Sequence, residues 1–302
     1  MPRFSALPLP LGLSGFVLLT ASQAGAYCRT TTAEQPPESA GCPGTCVTTG
    51  TPLYWPVAKT QYAFNVRPFV GFTDAAVRRI IGASFDTWTA VECPVKAEDG
   101  GLGRVSVGLE ATAKSGTTTD EVGPQDEEPN DNAIVYFSGD EWIDRGYDPR
   151  AFALTSLWFY DSGEIIGADM HFNGAMNFGE CPPQGCGALD AVADLQNVAT
   201  HEAGHYFGLA HSERETATMW CDASPGQVDK RTLSPDDVEG LCDIYPPGKA
   251  FTQAPASGGG DDSHCSAAPH AQGNRGLMAW LALLGTVLVG RRRVIRAQAR
   301  RG

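Results

Sequence analysis

The chain has 302 residues, with 35 acidic against 22 basic side chains and a formal net charge of −13. That length allows one or two domains with a sizeable core. Arg3 stands near the N-terminus and Arg275, Arg291, Arg292, Arg293, Arg296, Arg300 and Arg301 near the C-terminus, so residues 27–274 carry 14 − 35 = −21. This balance disfavours nucleic acid and anionic membrane surfaces as partners of the body, and leaves its substrate unspecified.

Residues 1–26 combine Arg3, the apolar run LGLSGFVLL, and Ala24 and Ala26 as an A-x-A site. They are expected to be a secretory signal peptide, and Tyr27 before Cys28 is a poor fit to a lipoprotein cleavage box. Residues 27–50 form a Cys/Pro/Thr-rich leader with no helical or strand period. Eight cysteines lie in the body (Cys28, Cys42, Cys46, Cys93, Cys181, Cys186, Cys221, Cys242), and an even number in an exported body points to four disulfides. Cys221 and Cys242 bracket one segment and are a candidate pair; Cys181 and Cys186 are a second, closing a small loop. Cys28, Cys42, Cys46 and Cys93 allow three pairings among themselves, and the sequence does not choose.

A globular pattern runs from residue 51 to 247. QYAFNV alternates as a first strand. Thr73 is expected to cap a helix through DAAVRRIIGASFDTWTAVEC, whose Val77, Ile80, Ile81, Phe85, Trp88 and Val91 recur at three- and four-residue steps. RVSVGLE and NAIVYFS follow as strands around the loop DEVGPQDEEPNDN, whose acidic run is more simply a solvated segment than a Ca2+ site. ALTSLWFY and IIGADMHFN make two more strands across the turn DSGE. A long helix then spans AVADLQNVATHEAGHYF, with Val192, Leu195, Val198 and Ala199 facing the sheet. The last helix has Ser234 as N-cap, Pro235 at its first position, and Asp236 and Asp237 in its first turn.

The stretch HEAGHYFGLAHS carries the chemistry. On a helix, His201 and His205 stand one turn apart on one face, within reach of a single ion, with Glu202 beside them. Gly208 can take the positive φ that ends a helix, letting the chain turn back and present His211 as a third ligand. Three neutral nitrogens with a fourth position open are the arrangement of catalytic zinc, whereas structural zinc is closed by four ligands.

The pattern H-E-x-x-H-x-x-G-x-x-H, followed by Met219 in TATMW, resembles the metzincin zinc metallopeptidases, and Ser212 after the third histidine is similar to their matrixin branch. The resemblance implies an α+β fold: a five-stranded mixed twisted sheet with an antiparallel edge strand, two long helices, and a small C-terminal subdomain with a methionine turn and a final helix. It further implies one catalytic Zn2+ on His201, His205 and His211, Glu202 as general base, and Met219 as an apolar floor beneath the metal. Residues 153–158 would wall a cleft in which a peptide substrate adds to the sheet edge. Some features depart from the family. GCPGTC does not match the matrixin segment that blocks zinc with a cysteine, and the leader is too short for a folded prodomain. His171 in ADMHFN resembles a ligand of the matrixin structural zinc, but the other histidines of that site have no counterpart, so it is read as a strand histidine satisfied by hydrogen bonds. Neither a second zinc nor Ca2+ is supported.

Residues 248–275 are expected to be a flexible linker, 276–290 a hydrophobic helix, and 291–302 a basic cytoplasmic tail. With Cys265, a candidate for processing or lipidation, they resemble MYXO-CTERM sorting tails. Fifteen apolar residues reach roughly 22 Å as a helix, short of a roughly 30 Å hydrocarbon core, so the tail is either anchored with snorkelling arginines or cut during sorting. The reading is a monomeric, exported or surface-anchored zinc endopeptidase acting on peptide or protein. A catalytically inactive scaffold serving as a surface binding protein, and a peptidase dedicated to one carrier protein, bacteriocin or cell-wall peptide, are the competing readings.

Overall fold

A computed structural model describes residues 26–33, 42, 46–97, 101–123, 130–187 and 191–251, and the backbone of 293–301. In chain order the elements are β1 (Cys28–Arg29), β2 (Lys59–Asn65), α1 (Asp74–Thr89), β3 (Glu92–Lys96), β4 (Leu102–Ser106), β5 (Glu110–Thr118), β6 (Ala133–Phe137) and α2 (Gly139–Asp144). There follow β7 (Ala151–Phe159), β8 (Ile165–Asn173), β9 (Phe178–Gly179), β10 (Ala193–Asp194), α3 (Leu195–Tyr206), β11 (Leu209–Ala210), β12 (Asp222–Ala223), α4 (Pro235–Ile244) and β13 (Arg293–Arg301).

The domain is α+β, built on a mixed sheet whose five domain strands are ordered β5-β2-β6-β8-β7, with β13 and then β12 added beyond β7. The first four strands are parallel, and β7 joins β8 antiparallel at the edge, with Thr155 opposite Met170 and Leu157 opposite Ala168. Every residue of β6 is buried because both faces of the sheet are covered. Ile134 and Tyr136 join the main core with Val77, Ile80, Ile81, Phe85 and Trp88 of α1, while Ala133, Val135 and Phe137 pack with Trp142 and Tyr147. Helix α1 starts where its capping residue predicts: the Thr73 hydroxyl accepts the Ala76 N–H. The single strand expected over RVSVGLE is divided instead. Its first half ends the β3–β4 hairpin, Glu110 opens β5 in the main sheet, and Gly108 at φ 73° turns the chain between them.

All eight body cysteines are bonded, with a different pairing from the one expected. Cys181 joins Cys186. Cys221 does not join Cys242: Cys42 binds Cys221, Cys93 binds Cys242, and Cys28 binds Cys46. The reason is tertiary. Helix α4 packs on β3, which brings Cys242 to Cys93, and the leader folds back over the segment that follows Met219. The leader is accordingly stitched to the domain: β1 pairs antiparallel with β11, and Thr30 N–H donates to Gly208 O at 2.9 Å.

Residues 293–301, expected as a basic tail apart from the domain, form a strand antiparallel to β7. An edge strand exposes free N–H and C=O groups that any extended segment can satisfy. Residues 1–25 of the stretch expected to be a signal peptide, Cys265 and the apolar segment 276–290 lie outside the described residues. Among those described, no helix is long and apolar enough to cross a membrane.

Candidate active site

Helix α3 is held at both ends before any functional side chain is considered. Asp194, fully buried at the N-cap, accepts the N–H groups of Asn197 at 2.8 Å and Cys181 at 2.9 Å and pairs with Arg231. Two buried indoles fix the helix backbone, Trp88 Nε1 donating to Thr200 O and Trp55 Nε1 to Tyr206 O, each at 2.8 Å. Past Tyr206 the chain leaves the helix through Gly208 at φ 97°, whose N–H donates to His205 O at 2.9 Å. A Cβ there would stand 2.9 Å from Leu53 O, so only glycine makes this turn without strain. Strand β11 then carries His211 back toward the helix.

The result is a convergent set of nitrogens. His205 Nε2 lies 3.2 Å from His201 Nε2 and 3.2 Å from His211 Nε2. On the far side of the rings, His201 Nδ1 meets Thr218 O at 2.6 Å and His205 Nδ1 meets Leu209 O at 2.8 Å. A carbonyl only accepts, so both Nδ1 atoms carry the proton and both Nε2 atoms present lone pairs. Lone pairs turned on one another at 3.2 Å repel unless a cation lies between them. Tetrahedral zinc at about 2.05 Å sets its nitrogens roughly 3.3 Å apart, so the donor set fits that ion. Burial holds the His201 imidazole well below its ordinary pKa and His205 down to about 4, which keeps both neutral at physiological pH, as ligands must be.

Around these nitrogens stand Glu202, which the sequence singled out, and two groups that it did not, Thr155 and Lys230. Glu202, wholly buried, has Oε2 at 2.7 Å from the hydroxyl of Thr155, which is on β7. Lys230 is buried as well, its amine donating to Trp220 O. Burial pulls that amine down to about 8, against the attraction of Asp229, Asp237, Asp222 and Glu202. Nothing in QVDKRTL distinguishes it from a surface lysine. For Thr155 there was an indirect signal, since residues 153–158 were expected to wall the cleft.

Met219 lies under the helix. A Cβ on Gly204 would come within 2.2 Å of its Sδ and 2.7 Å of Trp88 Cζ2, so the missing side chain at 204 makes room for the sulfur. Asp237 holds this turn, accepting the N–H of Met219 at 3.0 Å and of Thr218 at 2.8 Å, while also completing the cap of α4 with Ser234. Asp236 accepts the Ser212 hydroxyl at 2.6 Å and Arg214 Nε at 3.2 Å. Both carboxylates were expected to serve the helix dipole and cap. They also tie α4 to the histidine-bearing segment. His171 is not among the groups of metal-capable side chains found in the described residues; its Nε2 lies 2.9 Å from Glu121 O.

A long helix carrying two of three convergent histidines, crossed by an antiparallel edge strand and floored by a buried methionine, defines a metzincin-type domain. Residues 112–246 match the family model described as matrixin, and the domain is a matrixin-like metzincin. Metalloendoproteinase 1-MMP of Arabidopsis thaliana is 43% identical over 61 residues, 20% of this chain and 16% of that protein. Metalloendoproteinase 4-MMP of the same plant is 26% identical over 200 residues, 64% of this chain and 47% of that protein. Matrix metalloproteinase-16 of Mus musculus is 31% identical over 183 residues, 61% of this chain and 26% of that protein. The chain spans less than half the length of each of these relatives.

Proposed function

We propose that the chain is an exported zinc-dependent endopeptidase, with His201, His205 and His211 holding the ion and Glu202 acting as general base. The observation that carries this reading is the convergence of three histidine nitrogens, with His205 Nε2 at 3.2 Å from the Nε2 atoms of both His201 and His211, next in sequence to the buried carboxylate of Glu202. When bound, zinc supplies Lewis-acid chemistry, making a water acidic near neutral pH and countering charge on the carbonyl oxygen. Glu202 takes the proton of the attacking water and returns it to the leaving amine. Thr155 fixes which way that carboxylate points. Thr218 O and Leu209 O orient His201 and His205 through their Nδ1 protons. The names of the plant relatives support the same activity, and four disulfides support a site of action outside the reducing cytoplasm.

The test is Glu202→Gln. Zinc content should stay near one ion per chain while cleavage of a peptide library falls about 1000-fold, in the range general acid–base catalysis contributes. Unchanged cleavage by that variant, in a preparation free of other proteases, overturns the assignment.

A further inference from the structure

The sheet edge beside the site is already occupied. Strand β13 runs antiparallel to β7 from Arg293 opposite Phe159 to Arg300 opposite Ala151, with a register shift between Ala299 and Arg300. Its other side runs parallel to β12, Asp222 pairing with Arg300 and Ala223 with Arg301, just past the Met219 turn. Ala297 is opposite Thr155, whose hydroxyl touches Glu202, and β13 also borders α3. The tail backbone therefore crosses the site at its reacting carboxylate, held between the two strands that wall it. A peptide bound by strand addition takes this same form. Charge favours the pairing: RVIRAQARR has four arginines and no acidic residue, against a body at −21.

We propose that Arg293–Arg301 is an intramolecular occupant of the substrate cleft, an extended strand that holds the site closed until it is displaced. The inference rests on the peptidase reading and adds to it a control for which the leader provides no recognisable segment. A tethered strand competes at an effective concentration on the order of millimolar, so even a weak peptide would fill the cleft most of the time.

The experiment compares the full chain with its Ile295→Pro/Ala297→Pro variant, because proline has no N–H for the ladder and breaks strand pairing. Hydrogen exchange is read at the β7 amides that do not bond to β8, and cleavage is read on a reporter peptide. The wild type should protect those amides at least tenfold better than the variant, and the variant should cleave about tenfold faster. Synthetic RVIRAQARR added to the variant should restore inhibition competitively. Equal exchange in the two proteins, or faster exchange in a variant that cleaves the reporter measurably but no faster than the wild type, overturns the proposal. Exchange does not depend on catalysis: a chain inactive in both forms, whose β7 protection still follows the tail, upholds the occupancy and overturns only the peptidase reading.

Discussion

The hydroxyl of Thr155 stands 2.7 Å from Oε2 of Glu202, joining the edge strand of the sheet to the helix that bears the histidines. The two residues are 47 apart in sequence, and both are wholly buried. Strand β7 thus sets the orientation of the carboxylate beside the histidines.

Replacing Thr155 by Val keeps the β-branched shape suited to a strand and removes this donor. A hydrogen bond to a charged group contributes about 1.5–3 kcal/mol, so kcat for peptide hydrolysis should fall at least tenfold, with KM and zinc content little changed. Thr155→Ser should recover most of the loss. Steady-state kinetics on all three proteins reads the effect, and equal kcat for threonine and valine would show that the hydroxyl does not act on Glu202.

Gly204→Ala places a methyl group on Met219 Sδ and the Trp88 ring, both buried. Alanine favours the helix by about 1 kcal/mol, while overpacking a filled core costs about 1–3 kcal/mol. Because the contacts fall below 3 Å, the steric cost should win and the melting temperature should drop. Adding Met219→Ala should relieve part of the clash, so the two substitutions should couple in a double-mutant cycle.

Asp237→Asn sets an amide N–H2 against N–H groups now accepted by a carboxylate, since Met219 N, Thr218 N and Ser234 N all point at this side chain. The expected loss is about 2–3 kcal/mol in urea unfolding. Zinc affinity should also weaken about tenfold, because the Thr218 carbonyl orients His201 from the same turn. Unfolding of the metal-free protein and competitive metal titration separate the two effects.

His205 gives the pH dependence of the metal-free protein. Its folded pKa is depressed to about 4 from an ordinary 6.5, so below 6.5 the unfolded chain takes up the proton first. The contribution is complete above pH 6.5 and is lost as pH falls toward 4, by about 3 kcal/mol in all. Asp169 works in the opposite sense: burial pushes its carboxyl up to about 6, and its proton adds stability to the fold as pH falls from about 6 to 4. The difference between wild type and His205→Ala cancels Asp169. That difference should shift by about 3 kcal/mol between pH 7 and pH 4, with the wild type losing more.

Much of the site was legible because its geometry is local. The steps from His201 to His205, Gly208 and His211 follow from helix periodicity and one positive-φ residue, and Thr73 and Ser234 cap their helices through residues three positions on. The Cys181–Cys186 loop is short enough to be read from spacing. The candidate pair of Cys221 with Cys242 is not the one that forms, because Cys93 is distant in the chain and meets Cys242 only through the packing of α4 on β3.

By itself, the sequence singled out the three histidines and the carboxylate proposed here as metal ligands and base, most of the strands and helices of the domain, and the acidity of the body, since each depends on residue type or on short spacing. Tertiary structure alone decided that Thr155 faces Glu202, that Lys230 is buried behind the histidines, that Asp237 holds the Met219 turn and that the C-terminal strand lies along β7. Those contacts join segments tens of residues apart. They follow from sheet register and from which buried groups find partners when the whole core closes, a collective property that no short window of sequence expresses.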